Sequence, residues 1–147
     1  QFFTHEVAAE IEKKVVMAKL LDNAIDYSLL SLKFQPIVNV LNHQVQSVEV
    51  LCRWNNPELG DISPTVFIAL AEEKGLIHKL GSWVLKETLQ NMKNWGTSAP
   101  EWADLKVAIN FSAHQLNNPT LESIKILPQG LEFYLKKKSK IPLFYPK

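Results

Sequence analysis

Arg53 is the one arginine among 16 basic residues, in a chain that otherwise uses lysine. Its planar fork grips a phosphate or a carboxylate through two parallel hydrogen bonds, a geometry that an ammonium group does not reproduce. Glu49 lies four residues earlier, in a run whose alternation puts Val48, Val50, Cys52 and Trp54 on one face and Ser47, Glu49, Leu51 and Arg53 on the other. At about 3.3 Å per residue, a strand holds these two charges about 13 Å apart, so each wants another partner. A second run alternates Leu105, Val107, Ile109 and Phe111 with Lys106, Ala108, Asn110 and Ser112. An amide oxygen such as that of Asn110, set beside a carboxylate, suits a hard cation such as Mg2+ or Mn2+. The bland readings stay open: ion pairs from Arg53 and Glu49 to other elements, and an asparagine that caps a turn.

The elements that must position these groups are punctuated clearly. Residues 4–27 carry Val7, Ile11, Val15, Met17, Ala18, Leu21 and Ile25 at mostly helical spacing, with Thr4 as the expected N-cap and Glu6 in the first turn. Residues 32–40 read as a strand, at a sheet edge or strand end because Pro36 cannot donate a ladder hydrogen bond, and a hairpin-like turn follows. Ser63 and Pro64 open a helix that Gly75 stops, and a second helix over 76–95 is expected to close at Gly96. A short helix is expected over 120–127. Strands alternating with helices, with polar residues at the strand ends, predict an α/β fold of the barrel kind, although three strands cannot close a barrel.

Composition narrows the function. The 147 residues are 46% hydrophobic and 21% charged, which excludes disorder, and a formal charge of +1 gives no footprint for a nucleic-acid polymer or a membrane surface. The charge is uneven: residues 131–147 hold five lysines against Glu132. The lone Cys52 and the lack of a long apolar segment predict a reduced, cytoplasmic setting without a membrane span. Zinc, P-loop and nucleophile-elbow motifs are missing. His5, His43, His78 and His114 are expected at the surface, and Glu72 and Glu73 on a solvated helix face.

Five ordered motifs carry a resemblance: Phe34-Gln35-Pro36-Ile37-Val38; Val48-Glu49-Val50-Leu51-Cys52-Arg53-Trp54; residues 56–64; Phe67 to Glu73 with Gly75-Leu76-Ile77; and residues 107–116. Together they closely resemble the EAL domain family of bacterial cyclic-di-GMP phosphodiesterases. The signature tripeptide is Glu49-Val50-Leu51, with valine in place of the usual alanine on the apolar face. The resemblance implies a partial (β/α)8 TIM-type barrel preceded by an amphipathic linker helix. It implies that Glu49 and Asn110 ligate Mg2+ or Mn2+, that Gln35 and Leu51 contact the dinucleotide, and that Arg53 binds one of its phosphates. The implied reaction is a two-metal hydrolysis of cyclic-di-GMP to pGpG.

The match covers the front half of such a domain. No aspartate follows Asp104, so the family's later metal-binding aspartates have no counterpart. The expected division is a linker helix over 1–30, a truncated EAL domain over 31–127 and an unassigned basic tail over 128–147. Gln1 and the tail suggest a chain cut from something longer, with an upstream sensory or GGDEF domain as neighbour. Two functions compete: a phosphodiesterase domain short of ligands and inactive alone, or a degenerate module that senses the nucleotide or scaffolds other proteins. Open strand edges and unpartnered faces around Leu51, Val107 and Ile109 predict self-association, recruitment of a partner, or cover by the tail over 131–145.

Overall fold

The computed structural model describes residues 2–102, 105–112 and 115, with the backbone alone for 2–4. Helix α1 (Phe2–Asp26) leads into strands β1 (Ser31–Val38), β2 (Val45–Asn56) and β3 (Gly60–Ile62). Helices α2 (Pro64–Glu73) and α3 (Ile77–Ser98), one 3-10 turn (Pro100–Trp102) and strand β4 (Lys106–Ile109) complete the order. The short helix expected over 120–127 and the tail over 128–147 lie outside the described residues.

Strand β2 is the axis of the sheet. It pairs antiparallel with β1, parallel with β4 and, at its far end, antiparallel with β3. Pro36 sits in β1 opposite Val48, and β1 has no second neighbour among the described residues, as a proline-bearing strand requires. The β1–β2 turn is closed by Asn39 N–H donating to the Gln44 carbonyl at 2.9 Å, with His43 in the left-handed region. The short β3 was not expected. Asn56 Oδ1 accepts the Glu58 and Leu59 N–H groups, Gly60 takes φ +71°, and the returning chain pairs for three residues, too few to show a period.

The helices cover the apolar face of the sheet. Val48, Val50, Val107, Ile109 and Phe111 form one cluster, roofed by Val84, Leu85, Met92 and Trp95 of α3. Trp54 anchors a second, with Phe67 and Ala71 of α2, Ile77, Leu80 and Trp83 of α3, and Leu21, Ala24 and Ile25 of α1. The Trp54 and Phe67 rings meet edge to face at 6.0 Å. This corrects the expectation that Val107 and Ile109 lack neighbours: each is 1% exposed, because their phase turns them to the helices and away from Leu51.

Two helix ends also differ from expectation. Residues 2–26 are already helical at Phe2, so Thr4 is not the cap. Helix α3 runs through Gly96 to Ser98 and ends where Ala99 leaves the helical region at φ −143°, its N–H still donating to the Trp95 carbonyl at 2.7 Å. By contrast Ser63, Pro64 and Gly75 stand where the sequence puts them: Pro64 opens α2, and Gly75 at φ +72° lets Leu76 N–H reach the Ala71 carbonyl at 2.8 Å. The stripe on α1 is split. Leu21, Ala24 and Ile25 are buried, while Val7, Ile11 and Val15 are half exposed or more.

That division sets an expected stability ranking. Phe67→Ala, at a fully buried position, costs about 3–5 kcal/mol, whereas Ile11→Ala stays within about 0.5 kcal/mol. Urea unfolding of both variants checks this, and a large loss for Ile11→Ala would mean that the first half of α1 is packed in solution.

Candidate functional site

The face of the sheet turned away from the helices carries the chemistry. In the β1–β2 ladder Gln35 stands opposite Glu49, Lys33 opposite Leu51 and Ser31 opposite Arg53, while in the β2–β4 ladder Glu49 stands opposite Ala108. Directly opposed side chains lie about 4.5–5.5 Å apart at Cβ, so Gln35 and Glu49 are immediate neighbours. Asn110, just past the end of β4, reaches across: its Nδ2 donates to Glu49 Oε1 at 2.7 Å. Arg53 is half buried and uses Nη1 to hold the carbonyl of Cys52 at 2.9 Å. Gln35, Glu49 and Asn110 are thus one group, and Leu51 and Arg53 continue it along the same face of β2.

Beside this group, at the ends of β2 and β4, lies a cavity of about 400 Å³ lined by Leu51, Arg53, Glu72, Asn110, Ser112 and Gln115, with Ile68 and Val84 on its helix side. Ser112 Oγ is buried there without a hydrogen-bond partner. Glu72 corrects an expectation. Glu73 does face solvent, paired with Lys14 at 3.2 Å and Lys74 at 3.1 Å, which hold its carboxyl below the usual range; Glu72 is half buried and lines the cavity. Lys33 was missed as a member of the face, although it has the same two-residue phase as Gln35. His5, His43 and His78 are exposed, as expected, and His114 lies outside the described residues.

The donors suit a hard cation in kind but not yet in number. Glu49 and Asn110 offer carboxylate and amide oxygens, and Mg2+ is octahedral. Among the described residues no three His, Cys, Asp or Glu side chains gather closely enough to hold a metal. A complete ligand shell therefore needs oxygens beyond these two.

A family model for the EAL domain matches residues 18–140. The chain belongs to the EAL domain family. The match takes in the last nine residues of α1 and every strand and helix described after it. A probable cyclic di-GMP phosphodiesterase, PdeI of Escherichia coli, is 36% identical over 110 residues, which are 75% of this chain and 14% of PdeI. The cyclic di-GMP phosphodiesterase PdeR of the same bacterium is 34% identical over 132 residues, 89% of this chain and 19% of PdeR. The chain thus spans less than a fifth of these relatives. Among solved structures, the PaMucR phosphodiesterase in complex with c-di-GMP superposes with a TM-score of 0.64 at 37% identity, covering 71% of this chain and 42% of that one. An apo S helix-GGDEF-EAL chain of Vibrio cholerae LapD has a TM-score of 0.58 at 15% identity, covering 72% and 24%. The open sheet with helices on one face is part of a TIM-type EAL fold, and EAL phosphodiesterases depend on divalent metal.

Cys52 gives a check on the site's surroundings. Burial pushes its thiol up to about 11, against the opposing pull of the Arg53 N–H and guanidinium. At pH 8 the thiolate fraction is then about a hundredfold below that of an unperturbed thiol at 9.0, and it rises about tenfold per pH unit. Labelling with a disulfide reagent should be slow at pH 8 and become fast in urea. Fast labelling of the folded chain would show that this strand end is open to water.

Proposed function

We propose that this chain is the substrate-binding front of an EAL-type cyclic-di-GMP phosphodiesterase, working in the cytoplasm in bacterial second-messenger signalling. The observation that carries the reading is the 2.7 Å bond between Asn110 and Glu49, made across parallel strands with Arg53 four residues beyond Glu49 on the same face of β2. Glu49 and Asn110 contribute oxygens to Mg2+ or Mn2+. Gln35, across the ladder from Glu49, and Leu51 contact the dinucleotide, and Arg53 takes a phosphate with its two-pronged fork. Bound divalent ions supply the acidity that makes water a nucleophile and neutralise charge at the phosphodiester. Within this chain Glu49 fixes the position of the metal-facing edge, Asn110 locks the Glu49 carboxylate in place, and Leu51 excludes water beside the phosphate.

Helix α1, whose first half extends beyond the core contacts of Leu21, Ala24 and Ile25, is a suitable connector to an upstream sensory or GGDEF domain. Among the described residues no helix is long and apolar enough to cross a membrane. A second reading, nucleotide binding without turnover, is favoured by the two-oxygen donor set of Glu49 and Asn110.

Both readings share one experiment. Titration calorimetry should show weak cyclic-di-GMP binding in the presence of Mn2+. Arg53→Lys should weaken it about tenfold, the loss expected when a charge-assisted hydrogen bond goes. The same chain should release no pGpG above a blank. Failure to bind at millimolar nucleotide overturns the proposal, and pGpG release that disappears in Glu49→Gln refutes the expected inactivity of this stretch alone.

A further inference from the structure

The geometry points to Gln115 as the positioning residue for Asn110: its side-chain amide ties the turn after β4 to the first turn of α3 and so sets how Asn110 is presented to Glu49. The inference rests on the reading of Glu49 and Asn110 as the site. Asn110 needs such help because it follows Ile109, the last residue of β4, so the sheet ladder no longer holds its backbone.

Gln115 closes that gap from both ends of its amide. Its Oε1 accepts the Ser112 N–H at 2.7 Å, and its backbone N–H donates to the Ser112 carbonyl at 3.0 Å, so Ser112 is clasped on both sides. Its Nε2 donates to the Ile77 carbonyl of α3 at 3.0 Å, in a bond that is buried, and the residue is only 6% exposed. The neighbouring turn of α3 is shaped for it. A Cβ on Gly81 would stand 2.0 Å from Gln115 Nε2 and 3.2 Å from its Cδ, so any side chain there must push the amide out of this position. Phe111, between Asn110 and Ser112, is buried under the same helix. With Phe111 and Ser112 both anchored to α3, the chain's alternation leaves Asn110 facing Glu49.

Neither residue touches the nucleotide in this scheme. Gln115 acts through Asn110, and Gly81 acts by leaving room for Gln115. A buried amide that loses its partners is costly, so the latch behaves as one unit and not as two independent bonds.

The test reads Asn110 directly, in the whole 15N-labelled chain without nucleotide or metal. The Asn110 side-chain amide resonance is assigned by its loss in Asn110→Ser, and Glu49→Gln defines how far it moves when the charge-assisted bond is removed. Gln115→Glu and Gly81→Ala are each expected to move it by more than half of that displacement. A core variant with the same loss of melting temperature, Phe67→Leu, should leave it in place. In thermal melts Gly81→Ala should lower the midpoint, although alanine is the better helix former, and should raise it once Gln115→Ala has emptied the space. An Asn110 resonance unmoved in Gly81→Ala, or a Gly81→Ala effect of the same sign in both backgrounds, overturns the inference. Because no nucleotide is present, failure of cyclic-di-GMP binding would remove the functional reading and leave this result standing.

Discussion

The parallel register between β2 and β4 is the constraint on which the molecule depends. Val48 and Val50 stand level with Val107 and Ile109, and all four are buried beneath α3. Because side chains alternate with a period of two, a slip of one residue would turn this apolar set outward and bring charged or polar groups under the helices. The core therefore sets the chemistry on the opposite face. Once the valines and Ile109 are in, Glu49 is turned to the opposite face, where Asn110 meets it just past the end of β4.

The helices do more than cover. Helix α2 brings Phe67 to Trp54, and α3 spans both clusters, so the two halves of the core are held by one rigid element. The last turns of α1 join the same cluster through Leu21, Ala24 and Ile25, and Trp83 Nε1 donates to Ser28 Oγ at 3.2 Å to hold the chain as it leaves the helix. Lys79 bridges to Asp22 at 2.6 Å and Asp26 at 2.7 Å, but these groups are partly exposed and screened by water, so packing more than charge decides where α1 docks.

Much of this was legible in the sequence where a residue's own chemistry dictates its place. Pro36, Pro64 and Gly75 act on the backbone directly, and the two alternating runs sorted Glu49, Arg53 and Asn110 from their buried neighbours. What the sequence hid depends on other elements. Gly96 looked like a stop because glycine permits one, yet it stays helical and the chain leaves α3 only at Ala99; nothing in the sequence marks Gly81 as the glycine on which the Gln115 amide lies. Glu72 and Glu73 are adjacent and chemically alike, and only the placement of α2 against the strand ends separates a cavity wall from a solvent-facing ion pair. Val107 and Ile109 were correctly read as apolar, but a pattern gives alternation and not neighbours, so the α3 residues that cover them were not legible.

Glu49 and Asn110 are 61 residues apart in the chain. The β1–β2 hairpin is local and closes early, but the parallel pairing waits until both intervening helices have been made and the loop between them has lost its freedom. A chain emerging from the ribosome would display Gln35, Glu49, Leu51 and Arg53 well before it could offer them Asn110. The contact that closes the site is thus among the longest in sequence of the described residues, and a chain without β4 in place carries the family's signature tripeptide without the geometry that gives it meaning.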